Sequence, residues 1–95
     1  MPKDVKKREP KKIIFEQPIV VDGKKITEVT MRVPKVKDML AVDHIENKID
    51  REIALIGNLT GVNITLDDVE EWDAAEYTTL QSTLMGLQIA KAKIL

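Results

Sequence analysis

Cysteine is absent from this sequence, which excludes disulfides, thiolate nucleophiles and cysteine-based zinc sites together. The absence is silent about redox compartment, since a chain without thiols suits either. Aromatic residues are nearly missing too. Phe15, Trp72 and Tyr77 are the whole set, too few to build a platform on which nucleic-acid bases stack. No long uninterrupted apolar run occurs, so no membrane-spanning helix is expected. The N-terminus is charged and lacks the apolar stretch of a secretory signal, so a soluble cytoplasmic protein is the expectation. Histidine and serine occur once each, as His44 and Ser82. No proline follows Pro34, which leaves the last two-thirds free to be helical.

What is present is aliphatic and charged. The 95 residues make one small domain, able to bury roughly 60–65% of the surface its unfolded chain exposes. One core fits, with little room for an enclosed substrate pocket. Charge is unevenly spread. Lys3, Lys6, Lys7, Arg8, Lys11 and Lys12 stand against Asp4 and Glu9, so residues 1–12 carry +4. The remainder, 13–95, holds nine basic and fourteen acidic side chains, or −5. A basic arm precedes an acidic body. With Val5 almost alone as an apolar residue, the arm over 1–12 cannot offset its ordering entropy and is expected to be disordered.

The expected fold class is α+β: a β-hairpin over 13–33, then three or four helices in one domain over 13–95. The first strand gathers Ile13, Ile14, Phe15, Ile19, Val20 and Val21. The second alternates, with Thr27, Val29, Met31 and Val33 on one face and Ile26, Glu28, Thr30 and Arg32 on the other. Asp22-Gly23 between them suits a two-residue type I′ turn, whose central positions both need positive φ. Pro18 has no N–H to donate, so its strand is an edge or is bulged there. Pro34 ends the second strand. Helices are expected at about 35–41, 44–58, 66–72 and 74–94. Asp43 with Glu46 reads as a capping box opening the second, whose apolar line is Ile45, Ile49, Ile53, Ile56 and Leu59. Gly57, Asn58 and Gly61 mark its end. Thr65 with Asp68 opens the third helix, and Asp73 with Glu76 the fourth.

A search for chemistry finds little. His44 has Asp43 beside it, but adjacent helical residues point about 100° apart and cannot orient one another. The carboxylates Asp67, Asp68, Glu70, Glu71 and Asp73 lack the glycine and terminal glutamate spacing of a calcium loop; Asp67 and Asp68 fit a helix N-terminus instead. Asp22-Gly23 lacks the Gly-Lys-Ser/Thr of a phosphate loop. No catalytic, metal or cofactor site is expected, and no cofactor. The basic arm could screen phosphates, yet no DNA-reading module follows it. A small nucleic-acid-binding regulator is therefore the alternative reading, not the first. The best handle is the last helix. Leu80, Leu84, Leu87, Ile94 and Leu95 form an apolar line longer than one small core should need and are the candidate partner contacts. Core packing competes for Tyr77 to Leu84 and is favoured there, while Leu87 to Leu95 suit a partner groove or a self-association seam.

Taken in order, these segments resemble the phage tail assembly chaperone family, small proteins encoded near the tape measure gene of Mu-like and P2-like contractile-tailed phages. The likeness starts at Ile14-Phe15-Glu16-Gln17-Pro18-Ile19, passes through Asp22-Gly23-Lys24, and reaches a second strand ending in Arg32-Val33-Pro34. An acidic residue follows as Asp38, then Met39-Leu40. Leu59-Thr60-Gly61 closes the next helix, and Val69-Glu70-Glu71-Trp72-Asp73-Ala74-Ala75-Glu76-Tyr77 precedes Leu80-Gln81. Each piece is short; their order and spacing carry the resemblance, over about Ile14 to Leu87. The sequence departs from the pattern at Trp72, more often leucine, and at Glu76, often aspartate. The resemblance implies a non-catalytic protein of the host bacterial cytoplasm that binds the tape measure protein and assists assembly of the tail tube. It also implies possible contacts with other tail proteins or with itself, and in many members a longer product made by translational frameshift.

Overall fold

Extended backbone comes first because the β-branched residues do. A computed structural model describes residues 8–89. Strand β1 (Lys11–Val21) pairs antiparallel with β2 (Lys24–Met31), and four helices follow: α1 (Val36–Val42), α2 (Lys48–Thr60), α3 (Leu66–Glu70) and α4 (Ala74–Gln88). The class is α+β, a hairpin followed by helices, as expected. Met1 to Lys7 of the expected arm lie outside the described residues. Lys11 and Lys12, assigned to that arm, are strand residues instead, paired with Met31 and Thr30. The turn is the expected one. Asp22 and Gly23 have φ of 51° and 77°, both positive as a type I′ turn requires.

The strand containing Pro18 is bulged, and the bulge corrects the reading of β2. Ile14 faces Glu28 and Ile19 faces Ile26, with the register shifted between them. Five steps along β1 thus match two along β2, an odd surplus. Directly opposed residues share a face, so a surplus of odd length forces one strand to exchange its inward set. β1 keeps its own, burying Ile13, Phe15, Ile19 and Val21. β2 changes: Val29 and Met31 point inward on one side of the bulge, Ile26 packs on the core at the other, and Thr27 is exposed. Alternation within β2 alone placed Thr27 inward and Ile26 outward.

Helix boundaries also move. Asp43 does not open α2; it is the C-cap of α1. The N-cap is Asn47, whose side chain accepts from the N–H groups of Ile49 and Asp50 at 2.9 and 3.0 Å. Asn serves an N-cap at least as well as Asp, and starting at Lys48 leaves Ile45 and Glu46 to the connection. Their carbonyls accept from the Arg51 guanidinium at 2.8 and 3.2 Å, which pins that connection to the helix it precedes. Gly61, at φ 72°, ends α2 in the left-handed conformation, its N–H donating to the Gly57 carbonyl at 2.9 Å. The Thr65–Asp68 cap of α3 forms as expected, with the Asp68 N–H on the threonine hydroxyl. Asp73 occupies the N-cap of α4 without a side-chain hydrogen bond, so the expected box with Glu76 is not made. Helix α4 stops at Gln88, and Ile89 is extended (φ −94°, ψ 122°), whereas the helix was expected to run to 94; residues 90–94 lie outside the described residues. An isolated hairpin is marginal in water, and here the helices cover one of its faces. Helix α2 packs on β2, α4 on β1, and α1 on α2. The centre of the core is Ile19, Met31, Ile56 and Leu80, contributed by all four principal elements.

Gly57 and Gly86 both sit inside helices but in opposite surroundings. A Cβ on Gly57 would meet the Val62 carbonyl oxygen at 2.9 Å, whereas one on Gly86 meets nothing within 4 Å. Alanine is the better helix former by about 1 kcal/mol at either position. Gly86→Ala is therefore expected to raise the urea midpoint. Gly57→Ala is expected to lower stability by about 1–2 kcal/mol, because backbone must shift to admit the methyl group. Equal stabilisation by both substitutions would contradict the close approach at Gly57.

Candidate functional surface

Several titratable side chains serve as structural ties. Arg32 follows β2 and Asp38 is the third residue of α1. The Arg32 guanidinium donates both Nη1 and Nη2 to the two Asp38 oxygens, each at 2.8 Å. Asp38 Oδ2 also accepts from the Lys35 N–H at 2.8 Å, so one carboxylate satisfies the helix start and clamps it to the hairpin. The Arg32 side chain and the Lys35 N–H hold that carboxyl far below the usual carboxylate range. The Arg32 N–H, in turn, donates to the Leu59 carbonyl at 3.0 Å, tying the same strand end to the last turn of α2.

A second tie joins α2 to α4. Glu52 Oε1 accepts from the Tyr77 hydroxyl at 2.6 Å and from the Gln81 amide at 2.7 Å. Burial, and then the Glu52 carboxylate, push the Tyr77 phenol above its ordinary value of 10. A third joins the hairpin to α3. Asp68 accepts from the Asp22 N–H at 3.3 Å, and the Trp72 indole N–H donates to the Val20 carbonyl at 3.0 Å. Leucine, the usual residue of the resembled pattern, has no N–H to offer there.

His44 is exposed in the connection after α1, and Ser82 is exposed on α4. Among the described residues no group of three His, Cys, Asp or Glu side chains is placed to hold a metal ion. Open depressions of about 470 Å³ beside Gly57 and Val62 and about 210 Å³ beside Pro18 and Trp72 lie on the described surface. Glu71, Asp73 and Glu76 line the second, and neither is lined by histidine, lysine, serine or threonine.

The apolar line expected to meet a partner is placed otherwise. Leu80, Leu84 and Leu87 are all buried, because α4 lies on β1 and turns that line inward. In this fold they are core. Ile94 and Leu95 lie outside the described residues. Exposed apolar side chains lie on α1 and at the end of α4, where Val36 is 74% exposed, Leu40 66%, Met85 61% and Ile89 58%, and singly elsewhere, as Ile14 on β1 (72%) and Ile49 on α2 (55%). Met39 is also exposed, and Gln88 Nε2 lies 3.2 Å from its sulfur, so the start of the chain's helical part meets the end of α4. Sequence reasoning missed these residues because the polar side chains of α4 beyond Glu76 are uncharged and mark its outer face only weakly. From Tyr77 to Ile89 the chain carries no charge at all. That charge-free stretch was the available signal.

Comparison with known families accords with this geometry. The sequence model of the family described as "phage tail assembly chaperone proteins, E, or 41 or 14" matches residues 12–88. Neither a curated protein nor a solved structure matches the chain. The match spans β1 through α4, and the chain belongs to the phage tail assembly chaperone family. No helix of the described residues is long and apolar enough to cross a membrane.

The two carboxylate-linked ties give opposite pH dependences. Asp38 has a lowered folded value, so its contribution is present above the unfolded value of about 4 and is lost as pH falls below it. The stability difference between the wild type and Asp38→Asn is expected to be about 2 kcal/mol at neutral pH and to shrink below about pH 4. Urea midpoints measured from pH 7 to pH 3 check this; a difference independent of pH contradicts it. Tyr77 is the only tyrosine, so phenolate absorbance reads it alone. The folded chain is expected to show no ionisation at pH 10, and stability to fall above that pH as the unfolded phenol ionises. Tyr77→Phe should remove the fall.

Proposed function

We propose that this protein is a tail assembly chaperone that binds the tape measure protein in the host bacterial cytoplasm, keeps it soluble and assists tail tube assembly, without a catalytic step. The family match over residues 12–88 carries the reading. The surface chemistry supports it: a long helix whose outer side has no charge and exposes Met85 and Ile89 is suited to covering apolar helix on another chain. Met85, Ile89, Ile94 and Leu95 are the proposed contact residues, and Leu80, Leu84 and Leu87 hold the helix that presents them. Other tail proteins are further candidates for the same surface.

Co-expression with the tape measure protein encoded in the same phage tests this. A soluble complex recovered on an affinity tag is expected, and it should be lost with Met85→Glu and Ile89→Glu together while the circular dichroism melt stays unchanged. An insoluble tape measure protein and no recovered complex would overturn the proposal.

A further inference from the structure

The exposed side of α1 has an order of side chains that its own chain does not explain. Asp38 and Val42 face inward and are buried. Opposite them Val36, Met39 and Leu40 stand exposed, at the spacing of one helical stripe. Asp43 keeps helical backbone (φ −61°, ψ −28°) and so falls on the same line, seven residues beyond Val36. Lys35 and Lys37 are exposed on either side of Val36. Along about 10 Å of helix the surface therefore reads two cations, three apolar side chains, one carboxylate.

Within a single chain that order is unfavourable. Cations at a helix N-terminus and an anion at its C-terminus both oppose the macrodipole. The ion pairs among the described residues are Lys12–Glu28 and Arg32–Asp38, which involve none of the three. The Asp38 carboxylate is turned inward onto Arg32, and Lys37 acts on it only through space.

We propose that this face is an isologous contact with a second copy of the chain, the two α1 helices lying antiparallel. A two-fold axis between positions 39 and 40 sets Met39 of each copy against Leu40 of the other and Val36 against Asp43. Each Asp43 then lies between Lys35 and Lys37 of the second copy, and the two helix dipoles run in opposite directions. The pattern is self-complementary only in this arrangement, since a parallel pairing sets cations on cations. A seven-residue helix presents less than a standard interface, so the association is weak and concentration-dependent. It is independent of whether the tape measure protein is the partner, because it involves only this chain.

Sedimentation equilibrium of the full chain over a range of about 5 to 500 μM tests it at a concentration scale suited to a small interface. A monomer–dimer equilibrium is expected. Asp43→Lys makes the stripe basic at both ends, and Lys35→Glu with Lys37→Glu makes it acidic at both ends. Each variant alone should associate about tenfold more weakly or not at all, with its monomer at least as stable as the wild type, because the substituted residues are exposed and their new charges no longer oppose the helix dipole. Mixed in equal amounts, the two variants should form a heterodimer at least as tight as the wild-type dimer. A wild type that stays monomeric throughout the range overturns the proposal. So does a dimer indifferent to both variants, or a mixture that fails to associate. Loss of dimer with retained capture of the tape measure protein leaves the proposed function standing, whereas failure of capture by the wild-type dimer counts against that function alone.

Discussion

The pairing of Arg32 with Asp38 is the constraint on which the arrangement of this protein rests. A hairpin of two strands has no stability of its own in water, so the chain must bring helices back over it at once, and Pro34 leaves few residues in which to do so. The bidentate ion pair makes the turn. It spans the proline, satisfies the first free N–H of α1 through Lys35, and leaves the Arg32 backbone N–H to bind the end of α2. Charge-assisted bonds at 2.8 Å to a carboxylate shielded from water are stronger and more directional than the apolar contacts around them. They set the angle at which α1 leaves the sheet, and thereby which of its sides meets solvent.

That choice has a functional consequence. Had Asp38 faced outward, α1 would have been an ordinary helix with its apolar stripe in the core. With Asp38 and Val42 inward, Val36, Met39 and Leu40 are left outside. The same economy operates on α4, where the line through Leu80, Leu84 and Leu87 is used up against β1, and Met85 and Ile89 are what remains. A small domain with few aromatic residues thus keeps two short apolar faces side by side, near the point where Gln88 touches Met39. Surfaces of this kind suit a protein whose task is to cover other polypeptides, as membership of a tail assembly chaperone family implies.

Much of the fold was legible in local patterns because local chemistry decides it. Asp22-Gly23 can adopt two positive φ values and most dipeptides cannot; Pro18 cannot complete a ladder; Thr65 with Asp68 caps a helix wherever it occurs. The start of α2 was misread at Asp43 because Asp43 and Asn47 are both competent caps, and only the position of the buried Val42 on the preceding helix separates them. The inward set of β2 was misread for a different reason. Its own alternation is regular, and the change at Ile26 is imposed by surplus residues on the other strand. The resemblance of short segments, ordered along the chain, points to the family without geometry, since spacing between motifs records the lengths of elements that must pack together. Trp72 shows the converse, a departure from the pattern that only its bond to the Val20 carbonyl explains.

The amino-acid order by itself determined the class of fold, the hairpin turn, the lack of thiol chemistry and the family. Each follows from backbone freedom, donor inventory or composition, which are properties of residues and their near neighbours. What only tertiary structure decided is which apolar residues are spent and which are left over. Leu80 and Leu40 are chemically the same side chain on neighbouring helices. One is enclosed and the other free because burial depends on what lies across from a residue, and that is settled by contacts between segments far apart in the chain.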